Sequence, residues 1–175
     1  MGSGGRILVM VAVLAGLVAS ATGSQAAEEP LCDNGLRFTT GGTGAATGLR
    51  VMSVRVTNCG SEPLQLNGYP QVKVLDAQHG QLDIAVLEGS GGIAAVEGFD
   101  DAPQPITVLP GETAKSAFVW RNTHASADPP LVGKHVDIAA VPGDAWRPLV
   151  ATSPESGILI DLGSTGRIGV RAWYR

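Results

Sequence analysis

Three histidines (His79, His124, His135) and two cysteines (Cys32, Cys59) are the side chains of this 175-residue chain on which nucleophilic, metal or redox chemistry would first draw. Serine hydrolysis needs a Ser beside a His that a carboxylate holds in place, and neither G-x-S-x-G nor S-x-x-K occurs. A relay of His124 or His135 with Asp128 or Asp137 would have to be assembled by folding alone. Metal chemistry finds no H-x-x-x-H or C-x-x-C pair, and Met52 is the one methionine beyond the N-terminal apolar segment. Glu97, Asp100 and Asp101 offer hard oxygens without the alternation and turn glycine of a calcium loop. Gly41-Gly42-Thr43-Gly44 lacks the following helix and the Lys of a phosphate cradle, and it reads as a loop. These patterns predict no catalytic residue, no cofactor and no metal.

The cysteines point elsewhere. Residues 1–26 carry one charge, Arg6, then the apolar run Ile7 to Val18 and a tail of small residues. That run is too short for the roughly 20 residues of a spanning helix and suits a secretory leader. Cleavage is expected after Ala26, with Ala21 as the second choice and a retained anchor as the alternative. Export would place Cys32 and Cys59 in an oxidising compartment, where two cysteines admit one intramolecular pairing. A structural bridge is expected, because the spacing matches neither a redox motif nor a zinc pattern. Cleavage would leave eleven basic and sixteen acidic side chains, a net charge of −5. An acidic chain with scattered Lys and Arg is a poor match to nucleic acid, and no polybasic stretch marks a membrane surface. Nothing after Ala27 is apolar enough to span a bilayer.

The elements that must position any site read as strands. Glycine (24) and proline (11) make up a fifth of the chain, and no long window keeps helical spacing free of them. Period-two alternation recurs at Met52, Val54 and Val56, at Val72 and Val74, and at Ile84 and Val86. It returns at Phe118 and Trp120, at Val136, Ile138 and Ala140, at Ile158, Ile160 and Leu162, and at Ile168 and Val170. Turn dipeptides stand between these runs: Asn34-Gly35, Asn67-Gly68, His79-Gly80, Pro110-Gly111 and Pro142-Gly143. The expectation is one all-β domain over residues 27–175, an antiparallel immunoglobulin-like β-sandwich of about eight or nine strands. A barrel is the alternative. The stretch from Glu88 to Gln104 is too long for an ordinary turn and reads as a mobile or functional loop. Trp146, just past the Pro142-Gly143 turn, is the candidate ligand contact, where an indole could meet a sugar ring or a peptide.

Cys32, the strand ending Val54-Arg55-Val56-Thr57-Asn58, the segment Leu64-Gln65-Leu66-Asn67-Gly68-Tyr69-Pro70 and the run Ile106 to Glu112 leading to Trp120 together resemble the actinobacterial secreted domain of unknown function 4232 family. The resemblance spans about Leu31 to Tyr174. It implies an exported or envelope-associated β-sandwich and carries no activity. It also implies further cysteines in many members, whereas this chain has none after Cys59.

The sequence therefore predicts a secreted, non-enzymatic interaction module of the extracellular space or cell envelope, with a protein or cell-wall glycan as partner. A hydrolase assembled by folding and a metal-delivery protein are the alternatives.

Overall fold

In the computed structural model, the described residues are 1–2, 32–152 and 157–175. The expected leader and both expected cleavage sites fall outside them. Twelve strand segments and no helix lie among the described residues. They are β1 (Leu36–Ala46), β2 (Leu49–Asn58), β3 (Leu64–Leu66), β4 (Gln71–Leu75), β5 (Ala85–Glu88), β6 (Ile106–Val108), β7 (Thr113–Arg121), β8 (Leu131–Gly133), β9 (His135–Ala139), β10 (Arg147–Pro148), β11 (Ile160–Gly163) and β12 (Arg167–Val170). No helix of the described residues is long and apolar enough to cross a membrane.

The largest sheet has five strands in the order β1-β2-β7-β12-β5. Its inner face carries Phe38, Met52, Val54, Val56, Phe118, Trp120 and Ile168 into one apolar cluster. The alternation in β2 and β7 supplies these residues as predicted, because opposite partners in an antiparallel pair share a face. The shorter sheets β10-β9-β4, β11-β8 and β3-β6 complete the same cluster through Val74, Ile138, Ile160, Leu66 and Val108. Two layers over one dry interior are consistent with a β-sandwich. The Pro-Gly turns behave as their chemistry requires, with φ of 83° at Gly111 and 91° at Gly143.

Four expectations need correction. β12 and β5 pair in parallel, against the antiparallel expectation that holds for every other pair of named strands. No crossover helix is needed, because the whole chain from β6 to β11 forms the connection. Val86 is exposed, not buried, since β5 is an edge strand. The Gly41–Gly44 run is not a loop: it extends β1 as one arm of a hairpin, with an irregularity between Thr40 and Thr43. The Glu88–Gln104 stretch is a packed cover. Ile93 and Phe99 bury themselves against Ala117 and Val119 on the outer face of the large sheet, forming a second apolar cluster. Within the cover, the Asp100 Oδ1 accepts the Ser90 amide at 2.7 Å, which holds that carboxyl below its ordinary range.

Candidate functional site

At one end of β7 the β1–β2 hairpin runs on beyond the rest of the fold, leaving Gly42 to Thr47 exposed. Its turn, Thr47-Gly48, has positive φ at both residues, the two-residue geometry whose twist matches paired strands. Under the hairpin lies a cleft of about 830 Å³. The large sheet supplies Thr40, Thr43, Arg50, Met52, Trp120 and the neighbouring Asn122. The facing wall comes from Thr152, Leu159 and Asp161. The Val150 strand end fixes part of that wall, accepting from the Thr40 amide at 2.9 Å and donating to the Phe38 carbonyl at 3.0 Å.

Donors dominate this cleft. Arg50 Nη1 donates to the Leu49 carbonyl at 3.0 Å. With the Asn122 amide turned to satisfy both neighbours, its oxygen accepts from Arg50 Nη2 at 3.2 Å and its nitrogen donates to the Gly48 carbonyl at 3.0 Å. The guanidinium is thereby held in place with donors to spare. Among the described residues no carboxylate comes within ion-pair distance of Arg50 or of Arg55 at the rim. Asp161, the carboxylate in the wall, spends Oδ1 on the Gly163 amide at 3.0 Å. Trp120 is 1% exposed, and its Nε1–H is the one buried side-chain donor among the described residues that has no acceptor. An unpaired buried donor costs about 1–3 kcal/mol, so such groups are rare in folded proteins.

Of the residues singled out from sequence, Gly41, Gly42 and Thr43 line the cleft, while the cysteines, Trp146, the histidines and the acids Asp101 and Asp128 fall elsewhere. Cys32 and Cys59 form the disulfide, with Cα atoms 6.4 Å apart. Trp146 is 41% exposed, outside the cleft, and the Lys73 Nζ sits 4.0 Å from its ring centroid. One face of that indole is thus already occupied by a cation. His79 and His135 stack with centroids 3.9 Å apart, while no hydrogen bond among the described residues joins any histidine side chain to a carboxylate or hydroxyl. Asp128, offered as a relay member, accepts from the Ser126 hydroxyl at 2.9 Å. Asp101 pairs with Arg171 at 3.6 Å. No cluster of three or more His, Cys, Asp or Glu side chains suited to a metal lies among the described residues.

Sequence reasoning missed Arg50, Asn122 and the orphaned state of Trp120. Only Arg50 left a signal, as a charge in line with the core-facing positions Met52, Val54 and Val56.

A family model described as "Domain of unknown function (DUF4232)" matches residues 32–174. Among curated proteins, none matches the chain.

Proposed function

We propose, from the premise that the chain belongs to the DUF4232 family, that it is an exported, non-enzymatic binding module holding its ligand in the Arg50–Trp120 cleft. The orphaned Trp120 donor beside a positioned guanidinium carries this reading, because the pair asks for an acceptor that the protein does not supply. Export is supported by the leader-like residues 1–26 and by the disulfide, a bond that persists in oxidising compartments. The family resemblance supports an actinobacterial envelope setting and the immunoglobulin-like variant of the sandwich. Among the described residues, the lack of a histidine hydrogen-bonded to a carboxylate or hydroxyl speaks against the hydrolase alternative, and the lack of converging ligands speaks against metal delivery.

The partner is a protein or a cell-wall glycan. The processed protein is titrated with glycan fragments and peptides while tryptophan fluorescence is followed, and the titration is repeated in Trp120→Phe. Binding that perturbs the wild type and not the variant supports the cleft. A protein that ignores the whole panel yet turns over an ester or peptide substrate overturns the reading.

A further inference from the structure

Ala45, Arg50 and Trp120 stand directly opposite one another on β1, β2 and β7, so their side chains form one cross-strand row on the cleft side. β1 is the outer edge of the sheet. In a hairpin closed by a two-residue turn, Ala46 and Leu49 exchange hydrogen bonds, as do Gly44 and Val51 two residues on. The alternation therefore turns the N–H and C=O of Thr43 and Ala45 outward. Among the described residues, the Val150 segment covers the edge only as far as Thr40, and nothing bonds to those outward groups.

Resting on the cleft as the binding site, we propose that its occupant is an extended peptide that adds as a strand to the Thr43–Ala45 edge and places an acidic side chain against Arg50. Strands lie about 4.8 Å apart, so a residue opposite Ala45 on the added strand sits about 10 Å from the Arg50 backbone. A Glu and an Arg side chain together cover that span. They can meet because the intervening residue is only alanine, and because Gly42 and Gly44 leave the hairpin without bulk. The carboxylate then takes the free Arg50 donors, next to Trp120 in the same cross-strand row. Main-chain bonds supply affinity, and the cation supplies selectivity. Charge complementarity favours this occupant over a second copy, because the matching edge of a second copy, Thr39 to Ala46, has no carboxylate to set against Arg50.

The test follows backbone and indole N–H resonances of the processed protein. Three probes are used: a terminally blocked Thr/Val hexapeptide with one central Glu, the same peptide with Gln, and acetate. The Glu peptide is expected to shift Trp120 Nε1–H and to slow exchange of the Thr43 and Ala45 amides, binding about ten-fold or more tightly than the Gln peptide. Arg50→Met should erase that preference. Ala45→Pro, which removes an outward N–H, should abolish peptide binding and keep the acetate response; Arg50→Met suffices if this variant does not fold. Equal affinity for the two peptides overturns the proposal. Acetate and peptide shifts confined to Trp120, with the edge amides unmoved, overturn strand addition and leave the cleft standing. Silence from all three probes overturns both. Edge amides that move with protein concentration alone assign the edge to a second copy and overturn the peptide.

Discussion

Two tryptophans mark the two ends of β7, and only one of them is finished. Trp173 packs on Phe38 with ring centroids 6.4 Å apart, and its Nε1 donates to the Ala140 carbonyl at 2.7 Å. Close by, Asn58 donates to the Glu62 and Val108 carbonyls, each at 2.8 Å, and accepts from the Gly60 amide at 3.0 Å. The Cys32–Cys59 bridge staples the same end. At the other end, Trp120 is as deeply buried with its donor unpaired, next to a cation that no described carboxylate neutralises. The difference separates an end whose polar groups are satisfied within the fold from one whose buried indole donor finds no acceptor among the described residues.

That contrast can be broken most forcefully at the stapled end. Reducing the disulfide opens a loop whose ends are 27 residues apart and should cost about 3–4 kcal/mol by chain entropy, read as a lower urea midpoint. An unchanged midpoint, with the bridge first confirmed by mass spectrometry, would remove the staple from the account. Trp173→Phe comes next. It leaves the Ala140 carbonyl unpaired and should cost about 1–3 kcal/mol more than Trp120→Phe, which deletes a donor that bonds nothing. Equal losses would erase the distinction between the two ends. Arg50→Met should move stability by no more than about 0.5 kcal/mol, because its partners among the described residues are the neighbouring Leu49 carbonyl and Asn122.

The smallest effect is a pH dependence near the finished end. Glu112 accepts the Leu109 amide at 2.9 Å and pairs with Arg175, so its carboxyl lies below the ordinary range. Its contribution is therefore present above the unfolded-state value and is lost as pH falls through the lower folded value. Glu112→Gln should lower the neutral plateau slightly and flatten the acid limb, so that variant and wild type converge at low pH. An acid limb identical to the wild type would show that this contact does not couple to folding.

The inner face of the large sheet was legible because Met52, Val54 and Val56 alternate strictly and pair with Phe118 and Trp120. The outer face was not. Ser116-Ala117-Phe118-Val119-Trp120 reads as alternation if Ala117 and Val119 are discounted, yet it is a continuous buried run of the sort found where a sheet is covered on both sides. What covers it is Ile93 and Phe99, apolar residues set among glycines in a stretch with no periodicity to read. Val86 misled for the opposite reason: its alternation is real, but edge position depends on pairings remote in sequence. The disulfide followed from a count of two. The cleft could not be read, because whether Trp120 finds an acceptor depends on atoms brought together from four strands and two loops.

The order β1-β2-β7-β12-β5 also sets a timetable. β5 reaches the large sheet only through β12, so a strand made midway through synthesis has no seat until almost the last residues have appeared. A chain emerging from its amino end must keep Ala85–Glu88 waiting for Arg167–Val170. Assembly of this molecule is thus a late, all-at-once event dominated by long-range closure, which makes it slow and intolerant of losing its carboxyl-terminal tail.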